Sequence, residues 1–279
     1  MDFGIVAKPD LPKALATSRL VLEHLRRCGK VERVLLEEGL GRSLGEKGVP
    51  LSKMKVDILV TVGGDGTVLR ALQHARGKVF AINAGVLGFL TEVQVDEIKP
   101  AIKKLLAGEY HLEKRLKLKT TMNGQRLEDA TNEAVVHTAH IAKMRHFAIS
   151  VDGTPATEIR ADGLIVATPT GSTSYAMSVG SSIIDPRVDA FVIAPIAPFR
   201  LAARPLVVAA KSKIAVTILE PKECTMVIDG QCEFKIRGDE KLVFTASEKK
   251  AKFVSFKDDF YRNLEEKLIA SAPFAAHRH

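Results

Sequence analysis

The sequence predicts an α/β domain with a doubly wound sheet over residues 1–110 and a mainly antiparallel, all-β domain over 111–253. A C-terminal segment, 254–279, is expected to return as a helix to the first domain. Three observations carry this. Strand-like and helix-like segments alternate over the first 110 residues. From Leu112 onward short β-rich runs recur between turn signals, and the stretch 260–269 is amphipathic at helical spacing.

In chain order, strands are expected at 3–7, 31–35, 58–62 and 79–82, with helices at 14–27 and 67–76 between them. A further helix, from Val95 or Asp96 to Ala107, stops at Gly108, a residue suited to a C-cap. This order is Rossmann-like, with a ligand edge at the carboxyl ends of the strands. The later strands are expected at 117–122, 130–137, 146–151, 163–168, 190–196, 214–219, 225–228, 234–237 and 242–245. Asn123-Gly124 and Asp152-Gly153 are hairpin pairs, and Asp229-Gly230-Gln231 reads as a tight turn.

Composition narrows the function classes. With 46% hydrophobic and 27% charged residues the 279-residue chain has the make-up of a globular protein, long enough for two ordinary domains or one large one. No apolar run approaches the roughly 18 residues of a membrane span, and the first residues lack a signal-peptide layout. A soluble, cytoplasmic protein with no membrane partner is expected. Cys28, Cys224 and Cys232 suit neither a zinc site nor a disulfide framework and are read as packing residues. The net charge of +8 is spread over scattered Lys and Arg, and tryptophan is absent. Nucleic acid is therefore not expected as a partner, whereas a small anionic substrate fits.

The chemistry concentrates in a few segments. Ile58–Val62 runs into Gly63-Gly64-Asp65-Gly66-Thr67, where three glycines let the backbone approach a ligand and amides at the next helix start face a phosphate. Asp65 is an anion in that setting, which suits a group acting on the proton of an attacking hydroxyl. The competing reading is a Gly-Asp-Gly turn that caps a helix. Thr168 to Ser174 is rich in hydroxyls, followed by Tyr175, whose ring suits a flat base; a helix-capping loop is the alternative. Arg160 and Asp162, two apart in a strand context, are expected on one face, as a surface ion pair or a pocket lining. Asn132 and Glu133 are adjacent in an apolar strand, so Glu133 faces solvent by default; at a strand end both reach a sugar diol.

In order and spacing these segments resemble the NAD kinases of the single-function prokaryotic or archaeal type. The resemblance runs through Gly63-Gly64-Asp65-Gly66-Thr67, Ile82 to Leu90, Asn132-Glu133, Asp162 to Tyr175, Ala203-Arg204-Pro205-Leu206 and Asp229-Gly230-Gln231. It implies phosphoryl transfer from ATP, or polyphosphate, to the adenosine 2′-hydroxyl of NAD to form NADP. Asp65 would accept the hydroxyl proton, and Gly63, Gly64, Gly66 and Thr67 would cradle phosphates with Arg70 as a cation. Mg²⁺, or another divalent cation, would ride on the donor phosphates, with no protein metal site.

By the same resemblance Asn132 and Glu133 meet substrate hydroxyl or base groups, Lys143 and Arg160 lie near its phosphates or ribose, and Asp162 bonds the nicotinamide end. Thr173, Ser174, Tyr175, Ala176, Met177 and Ser178 enclose adenine and ribose, with Thr170 just ahead of them and Ala197 and Gln231 completing the contacts. A homodimer or homotetramer is implied. Gly180-Ser181 and Asp185-Pro186 depart from the family pattern, so no role transfers there. A lipid kinase of the diacylglycerol/sphingosine type shares the glycine loop, and a non-catalytic dinucleotide sensor would not need Asp65.

Overall fold

A computed structural model describes residues 1–85, 88–200, 202–220, 222–257 and 260–270. The chain divides into two units, residues 1–113 with 252–279, and residues 114–251.

Unit 1 alternates strand and helix: β1 (Asp2–Ala7), α1 (Pro12–Arg26), β2 (Arg33–Glu37), α2 (Glu38–Leu44), β3 (Gly48–Val49), β4 (Lys55–Gly63), α3 (Asp65–His74), β5 (Arg76–Asn83), β6 (Val93–Gln94) and α4 (Ile98–Ala107). Its strands pair in parallel in the order β3-β2-β1-β4-β5, with β6 parallel to β5. The core joins Phe3, Ile5, Ile58, Val60, Phe80 and Ile82 to Val21, Leu25, Ile102 and Leu105 of the helices. Central strands buried on both faces need no polar alternation, which explains the unbroken run Ile58-Leu59-Val60-Thr61-Val62. Gly108 ends α4 at φ 78°, the left-handed cap expected of it.

The elements depart from expectation at several points. Helix α3 begins at Asp65 and ends at His74, because Arg76 already pairs with Lys55 in the sheet. Helix α2 and strand β3 were not expected; they meet closely, since a side chain on Gly48 would stand 2.5 Å from Glu38 Cα.

Unit 2 holds β8 (Gln125–Arg126), β9 (Glu133–Thr138), β10 (Arg145–Val151), β11 (Thr154–Ala161), β12 (Gly163–Ala167), α5 (Tyr175–Ser178), β13 (Ala190–Ile196), β14 (Leu206–Ala209), β15 (Ile214–Ile218), β16 (Cys224–Ile228) and β17 (Cys232–Ile236). Strand β7 (His111–Met122) leads into it, β18 (Leu242–Ser255) leads out, and α6 (Phe260–Ala270) follows. One antiparallel sheet runs β14-β13-β12-β9-β16-β17, and β11-β10-β15-β18 pair in a second. Leu164, Val166, Phe191 and Met226 of the first share a core with Phe147, Val216 and Phe244 of the second. The other face of β12 and β13 packs Ile165, Val192 and Ala194 against Ala176 and Ile184.

The Asn123-Gly124 and Asp152-Gly153 turns each pair two positive φ values, 50° and 80°, then 53° and 83°. Their twist suits the flanking strands. Strands β11 and β14 were not singled out in advance, and β18 continues to Ser255, well past the expected Thr245. Phe253 near its end pairs with Val79 of β5. Of the C-terminal segment 254–279, residues 258–259 and 271–279 lie outside the described ones. Among the described residues no helix is long and apolar enough to cross a membrane.

Candidate active site

In unit 1 the site is built where β4 gives way to α3. The Thr67 amide bonds the Gly64 carbonyl at 3.0 Å to close the first turn. A Cβ on Gly63 would stand 2.4 Å from Thr67 Oγ1, so this glycine is required by the buried threonine. Of the three loop glycines only Gly63 has a positive φ. A Cβ on either of those would meet nothing within 4 Å. They leave open space beside the start of a ten-residue helix, where amides and dipole favour an anion.

Asp65 is the first residue of that helix, and its carboxylate reaches across to the chain after β5. Oδ2 accepts the Phe89 amide at 2.7 Å and Oδ1 the Leu90 amide at 3.0 Å. The two glycine-bearing segments of the sequence are thereby joined, helped by the Ala84 amide on the Gly63 carbonyl at 3.2 Å. Asn83, 2% exposed, steadies the next turn by accepting the Gly85 amide at 2.9 Å. Val86 and Leu87 of this segment lie outside the described residues.

Arg70 does not face this open space. Both its terminal nitrogens bond Glu37, and one also donates to the Ala7 carbonyl at 2.9 Å. The expectation of a phosphate-facing cation is corrected: the guanidinium is the partner of an 8% exposed carboxylate.

In unit 2 the structure brings together Asn132, Glu133 and Ser174, with Asp229 behind them. Asn132 and Glu133 are 5% and 6% exposed, so the default of a solvent-facing Glu133 is overturned. They stand at the entry to β9, where the 168–174 loop covers them. The Thr168 amide bonds the Asn132 carbonyl at 2.8 Å, and Thr168 Oγ1 donates to the Thr131 carbonyl at 2.6 Å. Gly171 allows this contact, since a Cβ there would lie 2.2 Å from the Asn132 oxygen. Asn132 Oδ1 and Glu133 Oε2 are buried with no hydrogen-bond partner, a costly state unless a ligand completes it. Burial first, and then the charge of Asp229, push the Glu133 carboxyl up to about 8, against a hydrogen bond from Ser174. At neutral pH it is a hydrogen-bond donor.

The hydroxyl-rich loop is organised differently from the expectation. Ser172 Oγ donates to the Pro169 carbonyl, Thr173 Oγ1 to the Thr170 carbonyl and Ser178 Oγ to the Tyr175 carbonyl. Those protons shape the loop itself. Ala176 is buried, Met177 half-buried, and Tyr175 is 40% exposed with its ring available to a planar group.

The remaining candidates are dispersed. Lys143 is exposed in the connection from β9 to β10, and Gln231 is exposed in the turn from β16 to β17. Arg160, exposed on β11, stands 5.7 Å over the Phe199 ring beside a cavity of about 450 Å³ bordered by His146 and Glu158. Asp162 lies in the bend after β11, so the same-face argument for the pair fails. Ala197 is exposed at φ 44°. Two contributors were missed by sequence reasoning: Gly88, whose missing side chain admits Asp65, and Asp229, read only as a turn former.

Comparison with known proteins adds to this geometry. The profile for the ATP-NAD kinase N-terminal domain matches residues 3–110, and that for the ATP-NAD kinase C-terminal domain matches 131–256. The chain is 45% identical over 276 residues to the NAD kinase of Methanothermobacter thermautotrophicus, covering 96% of each. It is similar to the crystal structure of an NAD kinase from Archaeoglobus fulgidus in complex with ATP, at 32% identity and TM-score 0.80, over 98% of this chain and 100% of that one. A yeast NADH kinase complexed with NADH shares the fold at TM-score 0.91 and 23% identity, over 100% of this chain and 90% of that one.

Proposed function

The chain belongs to the NAD kinase family, and on that premise we propose that it transfers a phosphoryl group from ATP, or polyphosphate, to the adenosine 2′-hydroxyl of NAD, with Asp65 as general base. The observation that carries the reading is the seat of Asp65. Its carboxylate is oriented by the Phe89 and Leu90 amides at a helix start whose glycines leave space for phosphates. A carboxylate offers about four acceptor positions, and two amides leave room for the proton of a hydroxyl.

Phosphoryl transfer through a loose transition state needs alignment and charge neutralisation more than covalent help. Amides around Gly64 and Gly66 at the start of α3 supply part of the neutralisation, whereas the Thr67 amide is taken by the Gly64 carbonyl. Arg70 is not assigned a role toward phosphate, since its guanidinium holds Glu37. Asn132 and Glu133 complete their hydrogen bonding on the dinucleotide, and Tyr175 supplies a ring for a flat base. Ser174, Thr170, Thr173, Ala176, Met177 and Ser178 shape the surroundings of the base, with Lys143, Arg160, Asp162, Ala197 and Gln231 as outer contacts. No group of three or more His, Cys, Asp or Glu side chains able to hold a metal occurs among the described residues. A divalent cation is assigned to the donor, carried on its phosphates as part of the substrate. A cytoplasmic homodimer or homotetramer completes the proposal.

The test mixes purified protein with NAD, ATP and Mg²⁺ and follows NADP through an NADP-specific dehydrogenase, with polyphosphate replacing ATP in parallel. NADP in either reaction is the expected result. Silence in both, from folded protein that binds NAD, overturns the reading in favour of a sensor.

A further inference from the structure

The ladder between β9 and β16 has Ile228 opposite Ala134, and beyond that pair β16 gives way to the turn. The amides of Thr131, Asn132 and Glu133 therefore lie past the strand that would have paired with them. A side chain takes its place. The Asp229 carboxylate, 2% exposed, accepts the Thr131 amide at 2.8 Å, the Asn132 amide at 2.7 Å and the Glu133 amide at 3.2 Å. The Asp229 amide returns a bond to the Glu133 carbonyl at 3.0 Å. Asp229 itself sits at φ 52° with Gly230 at 65°, a turn that folds the carboxylate back toward β9.

All three residues held this way carry a buried side-chain oxygen without a hydrogen-bond partner, Thr131 Oγ1, Asn132 Oδ1 and Glu133 Oε2. Resting on the reading of Asn132 and Glu133 as dinucleotide contacts, we propose that Asp229 is a positioning residue whose carboxylate sets the 131–133 backbone so that these two meet NAD. Its charge has a second consequence. Glu133 is faced by Asp229 from the turn and by Ser174 from the start of α5, and its carboxyl is raised to about 8, so it is mostly neutral below that pH. Asp229 is faced in turn by Lys117 of β7, whose ammonium burial holds below its ordinary value, and by the Cys232 thiol of β17. Neutral Glu133 donates a hydrogen bond that an ionised carboxylate cannot make. NAD affinity is therefore expected to fall as Glu133 loses its proton.

Asp229→Asn keeps the size but removes the charge and turns an NH₂ toward amide donors. The expected result is a rise of about tenfold or more in the NAD dissociation constant and KM, with kcat changed only a few fold. The alkaline loss of NAD binding should also move to lower pH, because burial then raises Glu133 without the added push of the Asp229 anion. Glu133→Gln, which cannot ionise, should bind NAD without that alkaline loss, and it serves as the second variant if Asp229→Asn does not fold. An unchanged NAD affinity and pH profile in Asp229→Asn, or an alkaline loss that persists in Glu133→Gln, overturns the proposal. Amide hydrogen exchange at 131–133, measured without ligand, separates the two readings. Faster exchange in Asp229→Asn supports the clamp even if the parent protein fails to bind NAD, and unchanged exchange overturns it.

Discussion

Gly88 and Asp65 occupy one space between them: a Cβ on residue 88 would stand 1.9 Å from Asp65 Oδ1. The carboxylate keeps its place on the Phe89 and Leu90 amides only because residue 88 has no side chain. Gly88→Ala should displace Asp65 and lower turnover by at least about tenfold, as misplacement of a catalytic group does. Calorimetry should find NAD binding within a few fold of the parent. Undiminished turnover would show that the observed seat of Asp65 is irrelevant to the chemistry.

Asp65→Asn retains an oxygen for one amide but loses the basicity. Turnover should drop by at least about 10² while NAD affinity stays within a few fold, the cost of removing a general base. Steady-state kinetics on the coupled assay decide it, and a fully active mutant removes the catalytic assignment.

Arg70 is expected to matter for stability and not for the donor. Removing it leaves Glu37 a nearly buried carboxylate without its partner. Arg70→Ala should cost about 1–3 kcal/mol in urea denaturation, scaled down from fully buried pairs because the arginine is partly exposed. The KM for ATP should be unchanged. A tenfold rise in that KM with full stability would instead place Arg70 on the donor.

Glu133 makes the stability of the protein depend on pH in a defined direction. Its carboxyl is raised from an ordinary value of 4.5 to about 8, so between those values the folded state binds more protons than the unfolded chain. Stability from this group is intact below about pH 4.5 and is lost as pH rises toward 8. Glu133→Gln removes the dependence. Its advantage in melting experiments should grow through that window to at most about 4–5 kcal/mol, at roughly 1.4 kcal/mol per pKa unit, and then level off. A constant difference from pH 5 to 9 would show Glu133 ionised throughout.

The parts of the fold readable in sequence are those whose signal is local. The strand ending at Gly63, the Gly108 cap and the two hairpin pairs each declare themselves within a few residues. Helix α2 and strand β3 do not, because Gly39, Gly41 and Gly48 read as loop residues. Gly41 and Gly48 are there for a close backbone approach, a Cβ on Gly41 falling 2.7 Å from the Gly48 nitrogen. The site shows the same division. Asp65 is conspicuous as a carboxylate among glycines, but the partner of Arg70 is 33 positions away and those of Asp229 are 96 to 98 away. Only the folded chain shows that one is neutralised and that the other organises Asn132 and Glu133.

The division of unit 1 into residues 1–113 and 252–279 sets an order of assembly during synthesis. Unit 2 is continuous in sequence and is complete once Ala251 has left the ribosome, free to fold as a unit of its own. Unit 1, begun first, is finished last. Its β5 waits for Phe253 to pair with Val79, and Glu92 waits for the Phe256 and Lys257 amides that it accepts at 2.7 and 3.1 Å. The half of the protein that carries Asp65 is thus the later one to mature, although its glycine-rich loop is made long before.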